Sequence, residues 1–268
     1  MEINWYPGHM AKTKRLIKDV LPHIDVIYEV IDARIPFSSK INDSDELTKN
    51  KPRILILAKY DLCDQKETNK WIKYYEQLGY KTITVDLKNN QDYKKIIDAT
   101  KLVKSKKKIG DVNVLVIGIP NVGKSTLINT LAGKKSQKVE NKPGVTKNLV
   151  WLNTKYNIKI LDTPGILWSK LDQDVALNLA AMTSIKDSVL PISEIAKYIL
   201  KKLAVYYPDI LASRYKINEK MTVEEMFELI GKNIGAFRQG EIDEDRVSMT
   251  IINDIKNEKI VNITFDYM

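Results

Sequence analysis

A complete phosphate-binding motif lies near the middle of the chain. Residues 118–125 read GIPNVGKS and match the pattern G-x-x-x-x-G-K-[ST] at every fixed position. In such a loop the backbone N–H groups face the phosphates, the lysine contacts the β- and γ-phosphates, and the hydroxyl ligates Mg²⁺. An apolar run precedes the motif and a helical pattern follows it, which is the context that this loop requires. We therefore expect a nucleoside triphosphate with Mg²⁺ to be bound by Asn121, Val122, Gly123, Lys124, Ser125 and Thr126.

A second motif supplies groups for the terminal phosphate. Residues 162–165 read DTPG and follow another apolar run. A carboxylate at the end of a buried strand can hold Mg²⁺, directly or through water, so Asp162 joins Ser125 as a predicted metal ligand. The backbone N–H of Gly165 can approach the γ-phosphate, and we count Gly165 with Lys124 among the catalytic groups.

Between these two motifs, residues 143–146 read PGVT. The hydroxyl of Thr146 could close over Mg²⁺ only while a γ-phosphate is present, which would make this segment an order–disorder switch. Taken alone, PGVT is an ordinary turn. Its position between two phosphate motifs favours the functional interpretation.

The sequence LAKYD, which ends at Asp61, resembles the N-K-x-D element with which GTPases recognise guanine. Guanine offers two donors, N1–H and its 2-amino group, to one carboxylate, so Asp61 would select guanine over adenine. Lys59 would lie along the base plane. Ala58 replaces the asparagine of the pattern, and the loss of one neutral hydrogen bond costs about 0.5–1.5 kcal/mol, so weaker guanine binding is expected. Residues 86–88 correspond to the S-A-K loop of GTPases only at Lys88, a further candidate contact to the base.

Six short apolar runs must position these motifs. They lie at residues 26–31, 54–57, 83–85, 112–117, 149–152 and 158–161. Amphipathic segments such as 65–78 and 91–104 separate several of them, which predicts a mostly parallel six-stranded sheet with helices on both faces. In ordinary GTPases the phosphate loop comes first and the base element last, and here that order is reversed. We therefore predict a circularly permuted P-loop GTPase domain, in which the first three runs form the last three strands.

Beyond about residue 170 the pattern becomes helical. Apolar residues recur at three- and four-residue steps over 192–203, and Thr222 with Glu225 forms a capping box ahead of another helix. We place a boundary at residue 168, with a GTPase domain over 1–168 and a small all-α domain over 169–268. Because DTPG leads almost directly into the helical domain, the nucleotide state could set the angle of that domain.

Charge and composition indicate the class of partner. The 268 residues carry 43 Lys and Arg against 34 Asp and Glu, a net charge of +9, which favours a polyanion. Basic residues recur from Lys12 to Lys18 and at 106–108, as expected for contacts to RNA phosphates. No apolar run is long enough to span a membrane and no secretory signal is visible, so we expect a cytoplasmic protein.

The chain resembles the ribosome biogenesis GTPase A family (YlqF/RbgA) over essentially its full length. Beyond the phosphate motifs, the resemblance rests on WYPGHMAK at 5–12, DARIPFSS at 32–39 and GEID at 240–243. It implies hydrolysis of GTP to GDP, coupled to late maturation of the bacterial large ribosomal subunit. It also implies a helical domain that contacts ribosomal RNA, and a monomer suffices for such docking. Related GTPases use the asparagine at the position of Asn121 to hold K⁺ near the phosphates, which makes K⁺ a candidate cofactor.

The catalytic machinery differs from that of many GTPases. Ile166 stands where they have a glutamine that orients the attacking water, so hydrolysis should be slow unless ribosomal particles stimulate it. His9, within WYPGHMAK, is our candidate for the missing polar group, with simple packing as the alternative. His23 follows a proline at the end of a helix and is interpreted as structural.

Two other functions stay open at this point. A nucleotide-gated RNA-binding protein with negligible hydrolysis is consistent with Ile166 and Ala58. A P-loop phosphotransferase would need an acceptor pocket with its own base and a lid, and the sequence shows no such set of residues.

Overall fold

The computed structural model describes residues 3–4, 9–42, 44–49, 51–86, 92–104, 110–133, 138–139, 151–165, 170–184, 190–218 and 220–268. The strands are β1 (Ile3–Asn4), β2 (Val26–Asp32), β3 (Arg53–Ala58), β4 (Lys81–Val85), β5 (Val112–Ile117), β6 (Lys138–Val139), β7 (Trp151–Asn153), β8 (Ile158–Asp162), β9 (Lys170–Leu171), β10 (Phe237–Arg238) and β11 (Glu241–Ile242). The helices are α1 (His9–Val20), α2 (Ser44–Leu47), α3 (Gln65–Gln77), α4 (Tyr93–Val103), α5 (Lys124–Ala132), α6 (Gln173–Ala181), α7 (Ile192–Tyr206), α8 (Pro208–Tyr215), α9 (Val223–Asn233) and α10 (Glu244–Lys256). A short 3-10 helix, Leu21–His23, follows α1.

The central sheet joins the two halves predicted from the permuted order. Its strands run β4-β3-β2-β5-β8-β7-β6, and the strands before and after the phosphate loop meet where β2 pairs with β5 in parallel. All six predicted strands are present. The prediction missed a seventh, the two-residue edge strand β6, and both β6–β7 and β7–β8 pair antiparallel. Every residue of β2, β3 and β5 is buried, as their mostly apolar sequences predict, and the burial includes the polar residues Glu29, Asp32, Arg53 and Asn113.

The predicted helices are also present. Helix α1 covers His9–Val20 of the predicted segment 7–20, whose first two residues lie outside the described residues, and α3, α4 and α5 occupy the expected segments. Thr222 and Glu225 form the predicted capping box at the start of α9, with both reciprocal hydrogen bonds present. Among the described residues beyond 168, strand β9 and the antiparallel hairpin β10–β11 depart from the helical pattern. None of the helices in the described segments is both long and apolar enough to cross a membrane.

The two parts of the chain share one continuous core. A single cluster of buried apolar side chains includes Ile117 of the sheet, Ile199 of α7 and Phe265 near the C-terminus. Strand β1 pairs with β9, so the chain start is tied to a segment beyond residue 168. Sequence patterns alone gave no sign of this pairing, and the boundary at 168 stays a prediction.

Candidate nucleotide site

The phosphate loop connects the end of β5 to the start of α5. Gly118 has φ +154°, and a Cβ there would lie 2.5 Å from the carbonyl oxygen of Val30 in β2, so only glycine fits. Asn121 and Gly123 also have positive φ, at 58° and 108°. These turns curl the backbone over the N-terminus of α5, where N–H groups without helical partners are available to phosphate. Ser125 and Thr126 are exposed on the first turn of the helix.

Lys124 is folded against its own loop. Its Nζ donates to the carbonyl oxygen of Ile119 at 2.7 Å, and the residue is only 8% exposed. Burial lowers the pKa of Lys124 to about 8, and the nearby charge of Asp162 opposes this shift only in part. A bound phosphate chain would restore a strong anionic partner to this amine.

The DTPG segment packs directly on the phosphate loop. Asp162 ends β8 with an exposed side chain, beside Val116 of β5. The hydroxyl of Thr163 donates to the Val116 carbonyl at 2.8 Å and fixes the start of the turn. A Cβ on Gly165 would lie 2.8 Å from the backbone nitrogen of Pro120, so the two motifs approach as closely as backbones can.

The exposed side-chain oxygens of Ser125 and Asp162 are suited to bind a hard cation. Mg²⁺ prefers oxygen ligands and commonly takes one or two from the protein, with phosphates and waters completing the shell. Ser125 and Asp162 lie on neighbouring elements, α5 and β8, and both are exposed. Within the described segments, no group of three or more His, Cys, Asp or Glu side chains could hold a metal ion by itself. A metal at this position would therefore bind together with the nucleotide.

The base element reaches the phosphate loop through Lys59. This lysine follows β3 in a left-handed conformation, φ 59°. Its Nζ donates to Asp32 Oδ2 at 2.7 Å and to the backbone oxygen of Asn121 at 2.9 Å, although Lys59 and Asn121 are 62 positions apart. Asp61 lies exposed in the turn after Lys59. The two motifs that the sequence placed in reversed order are therefore adjacent in space.

A buried ion pair behind Lys59 was missed by the sequence reasoning. Asp32 ends β2 at 0% exposure and accepts Arg34 Nε at 3.0 Å and Nη2 at 2.8 Å, besides Lys59. Burial opposes ionisation, but Arg34 and Lys59 outweigh it and hold the pKa of Asp32 well below its usual range. In the sequence, DARIPFSS served only as a family marker. The available signal was an aspartate at the end of a strand whose other residues are apolar or aromatic except for Glu29.

The side chain of Asn121 faces the helical part of the chain. Its Nδ2 donates to the carbonyl oxygen of Thr183 at 2.7 Å, in the turn after α6. The candidate K⁺ ligand is therefore also a link between the phosphate loop and α6. His23 is exposed, and its carbonyl oxygen accepts Asn113 Nδ2 at 2.8 Å, a contact of its backbone rather than its imidazole.

Several predicted site residues cannot be placed. His9 is the first residue of α1, but its side chain is not among those described. Residues 5–8, Lys88, Thr146 and Ile166 lie outside the described residues.

Comparison with known proteins identifies the family. A family model described as 50S ribosome-binding GTPase matches residues 113–224. Ribosome biogenesis GTPase A of Priestia megaterium is 39% identical, over 99% of this chain and 97% of the relative. The corresponding protein of Thermotoga maritima is 32% identical, over 98% of this chain and 94% of its own length. The chain belongs to the ribosome biogenesis GTPase A family.

Solved structures agree with this assignment. The crystal structure of GNP-bound YlqF from T. maritima has a TM-score of 0.71 at 28% identity, covering 96% of this chain and 98% of that one. The GDP-bound YlqF structure also has a TM-score of 0.71, at 26% identity. As a member of this family, the chain is a GTP-hydrolysing enzyme that binds GTP and GDP on the permuted fold. These relatives favour neither the RNA-binding protein without hydrolysis nor the phosphotransferase.

Proposed function

We propose that this GTPase acts in late maturation of the bacterial large ribosomal subunit, and that its nucleotide state controls the helical part of the chain. Nucleotide binding at this site is supported by the contacts of Lys59. Its amine donates to Asp32 and to the Asn121 carbonyl oxygen, and so joins the base element to the phosphate loop. The proposed role in ribosome maturation is supported by the names of the relatives that match over nearly their full length and by the net charge of +9. Such work would place the protein, as a monomer, in the cytoplasm.

Each group of site residues has a proposed role. Asn121, Val122, Gly123, Lys124, Ser125 and Thr126 bind the phosphates, and Lys59, Asp61 and Lys88 bind guanine. Ser125, Thr146 and Asp162 ligate Mg²⁺, while Lys124 and Gly165 stabilise the charge on the γ-phosphate during its transfer to water. The support for Lys124 and Gly165 is their contact with the loop itself, at Ile119 and Pro120.

His9 is proposed to orient the attacking water, because Ile166 cannot. The pairing of β1 with β9 supports this role. That pairing joins Asn4, five residues before His9, to Lys170, five residues after DTPG, and such a connection would bring His9 toward the γ-phosphate. Asn121 is proposed as a K⁺ ligand through its amide oxygen, since its Nδ2 is already bonded to Thr183.

Ribosomal RNA is the proposed partner of the basic faces. Lys12, Arg15 and Lys18 are exposed on α1, and Lys201 is exposed on α7. Phosphate contacts by such lysines supply affinity without base-specific readout. We retain the division into a nucleotide-binding domain over 1–168 and an RNA-contacting helical domain over 169–268 as part of this proposal.

Nucleotide turnover tests the proposal directly. GTP and ATP are compared in K⁺ and in Na⁺, with and without purified large ribosomal subunits, for the wild type and for His9→Ala. We expect slow GTP-selective hydrolysis that is faster in K⁺ and rises sharply with subunits, and a loss of that rise in His9→Ala. A rate that does not respond to subunits would contradict the ribosomal role, and an unchanged rate in His9→Ala would contradict the water-orienting role.

A further inference from the structure

The last residues of the chain pack between the nucleotide-binding part and the preceding helices, where Lys202 Nζ donates to the Phe265 carbonyl at 3.1 Å. We call residues 262–266 the tail. The tail backbone donates from Asn262 to the Leu62 carbonyl and from Phe265 to the Arg34 carbonyl, both at 2.8 Å. The Thr264 hydroxyl lies 2.9 Å from that of Thr68. The tail therefore runs along the loops that follow β2 and β3.

Asp266 holds two elements together with one buried carboxylate. The residue is 6% exposed, and its Oδ2 accepts the backbone N–H groups of Phe37 at 2.8 Å and Ser38 at 2.7 Å. Its Oδ1 accepts the Ser38 hydroxyl at 2.6 Å and Asn178 Nδ2 at 2.8 Å. Ser38 belongs to the loop after β2, and Asn178 belongs to α6. Hydrogen bonds to a charged group are the strong ones, so this carboxylate fixes the loop against α6.

The same loop carries Arg34, the partner of Asp32. Asp32 in turn holds Lys59, and Lys59 contacts the Asn121 backbone oxygen. Each step from the tail to the phosphate loop is thus a direct contact or a rigid turn. A second contact fixes the turn that follows α6, where Asn121 Nδ2 donates to the Thr183 carbonyl.

We infer that Asp266 is a positioning residue for guanine-nucleotide binding. By fixing the loop that bears Arg34, it keeps Lys59 between Asp32 and the phosphate loop, and it does so only while α6 is docked. Guanine affinity therefore depends on the docking of α6 and, by reciprocity, bound nucleotide favours that docking. This inference rests on the proposed base site at Lys59 and Asp61.

Asp266→Asn tests the inference against a matched control, Asp254→Asn. Asp254 is also a buried aspartate near the C-terminus, at 1% exposure, but it accepts Arg214 and Tyr215 within the helical part. The readouts are the GDP dissociation constant, the ratio of the ADP to the GDP dissociation constant by competition, and the thermal unfolding midpoint. General destabilisation would weaken GDP and ADP equally and leave that ratio unchanged.

We expect Asp266→Asn to weaken GDP binding and to lower the ADP-to-GDP ratio, each about tenfold, the size of one lost hydrogen bond to a charged group. Asp254→Asn should lower the unfolding midpoint and leave the ratio within about twofold. Ser38→Ala removes only the hydroxyl donor, and a ratio lowered about threefold is expected even if Asp266→Asn does not fold. An unchanged ratio in Ser38→Ala and in any folded Asp266→Asn protein would overturn the inference.

The variant Asp61→Ala distinguishes a failure of this inference from a failure of the proposed base site. Weak, unselective binding by Asp61→Ala together with wild-type binding by Asp266→Asn would overturn the positioning role and leave the base site in place. Wild-type selectivity in Asp61→Ala would instead contradict the base site.

Discussion

Lys124 is a buried amine whose environment suits it to bind an anion. The amine donates to the Ile119 carbonyl, and burial lowers its pKa to about 8. The carboxylate of Asp162 compensates in part for the desolvation of the amine. Phosphate oxygens would compensate more fully, so the charge of this lysine is coupled to nucleotide binding.

This coupling predicts proton uptake when GDP binds. Above about pH 8 the free amine is largely neutral, whereas the bound amine is charged, so binding takes up a proton and weakens by up to about tenfold per pH unit. Calorimetry at about pH 9 in two buffers of different ionisation enthalpy measures the uptake. Lys124→Arg is the control, because a guanidinium stays charged and should abolish it. Binding by the wild type without proton exchange at this pH would contradict the assignment.

Gly165 is the residue at which DTPG touches the phosphate loop. In Gly165→Ala the new Cβ would lie 2.8 Å from the Pro120 nitrogen, a backbone atom that cannot move aside alone. Overpacking of this kind costs about 1–3 kcal/mol, so hydrolysis should fall about 5- to 150-fold if the reactive state keeps this contact. Single-turnover GTP hydrolysis with subunits measures the effect, and Gly133→Ala, whose new Cβ would meet no atom within 4 Å, is the control for a glycine-to-alanine change without a steric contact. A Gly165→Ala protein with wild-type turnover would show that the segment moves away before reaction.

At the scale of elements, the end of β2 is held by charge rather than by apolar packing. Arg34→Met leaves the buried carboxylate of Asp32 with Lys59 as its remaining cation, and we expect the free energy of unfolding to fall by about 3 kcal/mol. The double variant Asp32→Asn, Arg34→Met removes the charge as well and should regain part of that loss. Urea denaturation at neutral pH measures both variants. A double variant less stable than Arg34→Met would contradict this account.

The pH dependence of stability should follow from the same pair. Because the folded pKa of Asp32 is depressed, its contribution is present at neutral pH and is lost as the pH falls below about 4. The wild type should therefore lose more stability on acidification than the double variant does. Equal losses in the two proteins would place the acid-sensitive group elsewhere.

Local patterns predicted the long elements and missed the short ones. The runs that became β2, β3 and β5 are mostly apolar and β-branched, and the capping box marks the start of α9 by its chemistry alone. Strands β1 and β9 have two residues each, too few for any periodicity, and only their mutual pairing defines them. The role of Asp266 was equally out of reach, since its partner Ser38 is 228 positions away.

The candidate site was predictable where a motif carries its own chemistry. GIPNVGKS and DTPG specify a loop and a strand end, and the structure brings them together at Pro120 and Gly165. Asp32 and Arg34 were not predicted as part of the site, because a buried ion pair produces no periodic pattern of residues in the sequence. The hydrogen bond from Asn121 to Thr183 could not be predicted for another reason. Its acceptor is a backbone carbonyl, which every residue has, so the sequence does not mark it.

At the scale of the whole molecule, permutation changes which element comes after each motif. The base element leads into α3 and the phosphate loop into α5, whereas DTPG leads toward β9 and α6. Helix α6 then contacts both the phosphate loop, at Asn121, and the tail, at Asp266. The helical part is thus fastened to the site from two directions, and a change at the γ-phosphate has a short path to it.

We propose that Asp61 and the phosphate loop, in reversed chain order, form one guanine-nucleotide site. The most direct measurement is the affinity of the wild type and of Asp61→Asn for GDP and for xanthosine diphosphate. Xanthine keeps N1–H but carries an oxygen in place of the 2-amino group, so an asparagine amide can pair with it. Asp64→Asn, at the N-cap of α3, is the matched control, because asparagine caps helices as well as aspartate does.

We predict that Asp61→Asn binds GDP about ten- to a hundredfold more weakly than the wild type and prefers xanthosine diphosphate, while Asp64→Asn keeps the wild-type preference. Wild-type affinity for GDP in Asp61→Asn would contradict the account, since guanine would then be read somewhere other than at this strand end.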